Sequence, residues 1–290
     1  MRLSGLHLLL TYRCIYECDH CFVWGGPRQE AAMTLGVVRE VLDQAERRGG
    51  IRWIYLEGGE AFLYYPTMLA AAREAAGRGF QVGMVTNAYW ATSPADAEEC
   101  LRPLAGLVQD LSLSRDTFHG NDEPAGAVRY ALDAAARLGI PASVISVPDG
   151  ASGGECGVMY RGRAVEKLAD KAPGRPWETL TTCPHEDLRD PERVHVDPMG
   201  WVHLCQGLLM GNIFRSPLER ICSAYDPETH PVVGPLLHGG PAELARRYGV
   251  PHPERCADAC HLCDVVRRAL RPRFPELLGP DPAYGVLSEE

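Results

Sequence analysis

Three cysteines, Cys14, Cys18 and Cys21, stand in the spacing Cys-x3-Cys-x2-Cys directly after an apolar run from Leu6 to Leu10. Thiolates are soft ligands that suit iron–sulfur clusters and zinc. A four-iron cluster is normally held by four cysteines, so three leave one iron with an open position. An open position marks a catalytic metal centre rather than a structural one. The competing reading is a zinc ion with His20 or His185 as its fourth ligand. Five more cysteines, Cys183, Cys205, Cys256, Cys260 and Cys263, follow in the second half of the chain. A cysteine near a hairpin combined with Cys-x-x-Cys is also compatible with a ribbon-like zinc site.

Regular alternation positions the first triad. Strands are expected at Leu6–Leu10, Ile51–Leu56, Gln81–Val85, Leu107–Ser114 and Ala142–Val147, from short apolar runs bounded by Gly, Pro and Asn. Helices are expected between them at Leu35–Arg48, Tyr65–Gly77, Pro94–Leu101 (with Ser93 as N-cap) and Ala125–Leu138. Strand–helix alternation at this spacing predicts parallel βα units. Such barrels place working groups at the C-terminal ends of their strands. The unusual polar residues fall there: the cysteine triad after strand one, Gly58-Gly59-Glu60 after strand two, Asn87 after strand three, and Ser112, Ser114 and Asp116 around the end of strand four. Period-two alternation in Leu111-Ser112-Leu113-Ser114 sends both leucines to one face and both serines to the other, facing the barrel interior. After residue 150 the rhythm fades through a Gly-rich loop. A helix near Ala164–Lys171, a hairpin over His195–Leu204, and helices at Pro241–Tyr248 and Cys263–Leu270 complete the reading.

The triad after a first strand, joined by Gly-Gly-Glu after the second, resembles the radical S-adenosylmethionine (SAM) superfamily. The resemblance implies an α/β fold, a partial (β/α)6 TIM-like barrel over residues 1–175. It implies a [4Fe–4S] cluster on Cys14, Cys18 and Cys21 whose fourth iron binds SAM. Reductive cleavage would then give a 5′-deoxyadenosyl radical that abstracts hydrogen from a substrate. Carried over by position, His20, Gly58, Gly59, Glu60, Asn87, Ser112, Ser114 and Asp116 would contact SAM. Ala61 stands where the family motif usually continues with proline. The later cysteines, with the Val196–Cys205 run and Gly211-Asn212-Ile213, resemble the SPASM/Twitch extensions of that superfamily. This implies a small auxiliary-cluster domain over 176–290, a β-hairpin plus helices. It would hold one auxiliary [4Fe–4S] cluster on Cys183, Cys205, Cys260 and Cys263, with Cys256 as alternative ligand or spare. A reductant such as flavodoxin or ferredoxin is implied. The reaction expected is a net oxidation or cross-link of a small-molecule or peptide substrate, with epimerisation as an alternative. His119 is a candidate proton acceptor and Cys156 a candidate hydrogen-atom donor. A non-catalytic zinc or Fe–S protein is the rival from another class.

Composition narrows the classes. The 290 residues carry a net charge of −9, and only Lys167 and Lys171 are lysine, which argues against general nucleic-acid binding. No apolar stretch is long enough for a membrane span. The odd count of eleven cysteines without an export signal points to a reducing, cytoplasmic setting where close-spaced cysteines bind metal. The first strand starts near residue 6, so no leader-binding segment is expected before the barrel, which favours a small molecule over a peptide. Cys100 and Cys222 are expected as small core hydrophobes. Arg161 and Arg163 are expected either to grip a substrate carboxylate or to sit on the surface, and Arg267, Arg268, Arg271 and Arg273 to form a solvated helix face.

Overall fold

Leu6 and Leu8 alternate with His7 along the first strand, so one face is fully apolar and must be covered by helices, while the other can line a cavity. The computed structural model describes residues 1–115, 118, 125–147 and 157–287; Asp116, His119 and Cys156 lie outside the described residues. Five parallel strands come first: β1 Gly5–Leu9, β2 Trp53–Glu57, β3 Gln81–Thr86, β4 Asp110–Ser114 and β5 Ala142–Ile145. They alternate with α1 Leu35–Arg48, α2 Tyr65–Gly77, α3 Pro94–Leu101 and α4 Ala127–Leu138. Thr34 caps α1 by accepting from Val37 N, and Ser93 caps α3 by accepting from Asp96 N. The expected start of β4 at Leu107 is corrected to Asp110, because Leu107 N closes a turn onto Leu104 O and Gln109 N reaches Val82 O.

The sixth parallel strand comes from much later in the chain. After α5 Arg163–Lys167 and the short β6 Arg175–Pro176, β7 Arg193–Val196 pairs with the free edge of β1 in parallel. It turns at Asp197–Gly200 into β8 Trp201–Cys205, and β9 Leu208–Asn212 follows antiparallel. The sheet therefore runs β5-β4-β3-β2-β1-β7-β8-β9, an open, partial-barrel order. The hairpin was legible in the sequence; β9 was not, since Leu208-Leu209-Met210 is too short a run to register. The chain ends with α6 Leu218–Ala224, α7 Val233–Tyr248, β10 Arg255–Cys256 (paired with β6) and α8 Ala259–Leu270. Leu6, Leu8, Ile54, Leu56, Val82, Met84, Leu111 and Leu113 are fully buried against the helices. Among the described residues, no helix is long and apolar enough to cross a membrane.

Candidate active site

β1 delivers the chain into the loop that carries Cys14, Cys18 and Cys21, and this loop is pinned to the end of β2 by backbone alone. Gly59 N donates to Thr11 O (2.7 Å) and Glu60 N to Arg13 O (2.8 Å). A Cβ on Gly58 would lie 2.4 Å from Thr11 O, and one on Gly59 2.3 Å from Arg13 O. Two consecutive glycines are thus required for the cysteine loop to dock.

The docked loop forms one wall of a cavity of about 390 Å³ lined by all three cysteines, in the usual size range of small-ligand sites. His20, Gly58, Gly59, Glu60, Asn87 and Ser114 also line it. Ser112 shares the Ser114 face of β4 but does not reach the cavity; Leu111 and Leu113 are fully buried, as their alternation predicts. The His20 ring lies 4.6 Å from the ring of Phe118.

Glu60 organises the opposite wall. Its Oε1 accepts from Phe62 N (3.0 Å) and Thr86 Oγ1 (2.8 Å), and its Oε2 from Asn87 N (2.8 Å). Burial pushes its carboxyl up to about 7 against the lowering by those hydrogen bonds. Among the described residues no cation lowers the Glu60 carboxyl, which suits it to receive one. Asn87 Nδ2 in turn approaches Cys14 Sγ at 3.6 Å, and Gly25 N donates to Cys21 Sγ at 3.3 Å. Burial raises the Cys14 thiol to about 12; a bound metal would hold it as thiolate.

The barrel face carries a group the sequence reading missed. Glu57, which lines the cavity, has Oε1 3.2 Å from His7 Nδ1 and 3.1 Å from His195 Nε2. His7 stacks on Tyr55, whose hydroxyl donates to Asp110 Oδ2 (2.8 Å). Burial by itself would raise Glu57, but the two histidines hold it well below the usual carboxylate range. Alternation in Leu6-His7-Leu8 and Ile54-Tyr55-Leu56-Glu57, the same pattern used for Ser112 and Ser114, carried the signal.

Cys183, Cys205, Cys260 and Cys263 line a second pocket, between β8 and the start of α8. Cys260 and Cys263 stand in the first two turns of α8, three residues apart on one face. Asp258 caps that helix, its Oδ1 accepting from His261 N at 2.7 Å. Cys256 does not line this pocket; it is buried in β10. Burial raises Cys183, Cys260 and Cys263, the last to about 12 with Arg267 opposing. Arg161 and Arg267 both line the pocket, 7% and 2% exposed. Arg163 is buried too, with Nη1 on Cys18 O (2.9 Å) and Nη2 on Gly25 O (2.7 Å). The arginines at 161 and 163 are therefore neither a surface pair nor a free fork. Of the arginines in the 267–273 run only Arg273 is exposed: Arg267 donates to Gln206 O, Arg268 to Asp264 and Tyr284 O, and Arg271 to Asp281. Cys100 and Cys222 are partly buried against the core.

Thiol spacing tests which group fits each site. Three thiolates on one zinc at about 2.3 Å stand roughly 3.8 Å apart. Among the described residues no three cysteine sulfurs come within 4.8 Å of one another. The described cysteine sulfurs are thus not gathered around a single-ion position. Two buried guanidinium nitrogens, Arg161 Nε and Arg267 Nε, have no hydrogen-bond partner among the described residues, which suits an anionic cluster in the second pocket. His185, Asp258 and Cys260 do approach closely enough for a single ion, but both Asp258 oxygens already accept backbone N–H groups, from His261 and Tyr160.

A docked three-cysteine loop facing a Gly-Gly-Glu turn across a cavity defines a radical SAM domain. Residues 8–150, just under half of the chain, match the model of the Radical SAM superfamily and form a radical SAM domain. It is 32% identical over 106 residues to the tungsten-containing aldehyde ferredoxin oxidoreductase cofactor-modifying protein of Pyrococcus furiosus; the match covers 37% of this chain and 28% of that protein's length. Among solved structures it is similar to Streptococcus suis SuiB bound to SAM (10% identity, 80% of this chain and 68% of that one, TM-score 0.42). It is likewise similar to SuiB bound to the precursor peptide SuiA (11% identity, 90% and 76%, TM-score 0.43).

Proposed function

We propose that this chain is a radical SAM enzyme with two iron–sulfur clusters that oxidises or cross-links an organic substrate. The observation that carries the reading is the pair of cysteine pockets, back to back across Phe22 and Arg161. Phe22 lines the first pocket, Arg161 the second, and the guanidinium sits 4.6 Å from the ring centroid. Cys14, Cys18 and Cys21 would hold the SAM-binding cluster, and Cys183, Cys205, Cys260 and Cys263 the auxiliary one. When bound, the first cluster and SAM would supply a 5′-deoxyadenosyl radical.

The chain's own residues do the rest. Glu60, buried and bonded at both oxygens, is poised to accept the SAM ammonium. Gly58 and Gly59 keep the cysteine loop in register. His20 and Ser114 line the space left for the nucleoside. Glu57, kept ionised by His7 and His195, presents a negative charge on the barrel face. Electrons would come from a reductant of the flavodoxin or ferredoxin kind.

A small molecule is the substrate read first. A peptide is the second reading, favoured by β5, which forms the sheet edge with Val144 and Ile145 each 44% exposed while Ile145 also lines the cavity. Exposed strand edges recruit peptides by strand addition.

The test is anaerobic reconstitution followed by dithionite and SAM. Release of 5′-deoxyadenosine, lost in Cys14→Ala, is expected. A Cys14→Ala protein that cleaves SAM as well as wild type would refute the assignment of the first site.

A further inference from the structure

Residues 160–163 touch both cysteine centres. Gly162 packs backbone on backbone against the first one: a Cβ there would lie 2.7 Å from both Cys21 O and Phe22 Cα. Arg163 N donates to Cys21 O (3.0 Å). One residue earlier, Arg161 turns the other way. Its Nη1 donates to Cys205 Sγ (3.1 Å) and to Glu186 Oε1 (3.1 Å). Glu186 does not neutralise this guanidinium alone, because its Oε2 lies 3.6 Å from Arg193 Nη2. Part of the Arg161 charge is therefore directed at the cysteine pocket, with Phe22 closing its other face.

We propose that Arg161 is a positioning residue that raises the reduction potential of the auxiliary cluster through its hydrogen bond to the Cys205 sulfur. The inference rests on the two-cluster reading above. Hydrogen bonds to ligand sulfurs, net charge and burial are the levers by which proteins set cluster potentials. A donor that is also a cation favours the more negative, reduced cluster. In the couple concerned, the cluster gains one electron from an external titrant. No bond to Arg161 breaks and no proton leaves it. Such a residue suits a cluster that must accept an electron from chemistry in the adjoining cavity.

The experiment is an anaerobic redox titration of the reconstituted full chain, followed by EPR, with the two clusters distinguished by whether SAM alters their signals. Arg161→Gln should keep the wild-type iron content. It should lower the midpoint of the SAM-insensitive cluster by a tenfold change in the reduction equilibrium, 59 mV for one electron. The SAM-sensitive midpoint should stay in place. Glu186→Gln, which leaves Arg161 less neutralised beside Cys205, should shift the same midpoint upward, and it carries the test if Arg161→Gln loses iron. An unchanged midpoint in Arg161→Gln, or a downward shift in Glu186→Gln, would overturn the role of Arg161 while leaving two clusters standing. About four irons per chain and no SAM-insensitive signal in wild type would overturn the two-cluster reading and this inference with it.

Discussion

Replacing Gly59 by alanine adds one methyl group at the point where the cysteine loop is fastened. That Cβ would lie 2.3 Å from Arg13 O, 2.6 Å from Arg13 C and 2.6 Å from Tyr12 O. All three are backbone atoms, so no side chain can swing aside. The segment must separate, and the bonds from Gly59 N to Thr11 O and from Glu60 N to Arg13 O lengthen or break. Overpacking of this kind costs about 1–3 kcal/mol, and two weakened hydrogen bonds add roughly 0.5–1.5 kcal/mol each. The expected loss is about 2–6 kcal/mol. At roughly 2–4 °C per kcal/mol, Tm should fall by about 4–24 °C. Gly77, the last residue of α2, is the control: a Cβ there meets nothing within 4 Å, so Gly77→Ala should be neutral or slightly stabilising. Thermal unfolding of the cluster-free protein reads the energy, and the reaction rate of Cys14, only 7% exposed, with a thiol reagent reads the local displacement. Gly59→Ala should unfold earlier and label faster. If it matches Gly77→Ala in both, the docking role of the glycine pair is wrong.

Three further outcomes are expected. Glu57 is pushed up by burial but held lower by His7 and His195. Its carboxylate therefore contributes stability above the ordinary value of about 4.3 that is lost as pH falls below it. Glu57→Gln should be destabilising at pH 7 and approach wild type in acid; a gap that grows on acidification would reverse the sign. Asp258→Ala removes the α8 cap and the acceptor for Tyr160 N, and should cost about 1–2 kcal/mol in chemical denaturation; an unchanged midpoint would show the cap is idle. Cys256→Ser should keep the wild-type iron content, whereas Cys263→Ser should lose up to about four irons; equal loss from both would put Cys256 among the ligands.

The helices α1, α2 and α3 were legible to the residue because apolar spacing, caps and breakers bound them: Gly49 ends the first, Pro66 sits near the start of the second and Ser93 caps the third. The parallel strands were legible from apolar alternation, and the first cavity from the convergence of polar residues at strand ends. What escaped depends on long-range partners. No local signal says that Arg193–Val196 pairs with β1, since that contact joins residues nearly two hundred positions apart. The same holds for Arg161 and Arg267: an arginine beside a glycine or on a helix reads as surface until the fold shows which sulfur and carbonyl atoms it meets. Glu57 and its histidines are different. The alternation that placed Ser112 and Ser114 inside the barrel applied equally to His7, Tyr55 and Glu57.

The central claim is that two cysteine pockets hold two clusters and that only the first meets SAM. The most direct measurement is iron per chain in the anaerobically reconstituted protein, combined with the EPR spectrum of the reduced state with and without SAM. The account predicts about eight irons and two cubane signals, of which SAM changes one. A protein with zinc in place of iron, or with a single signal, would contradict it.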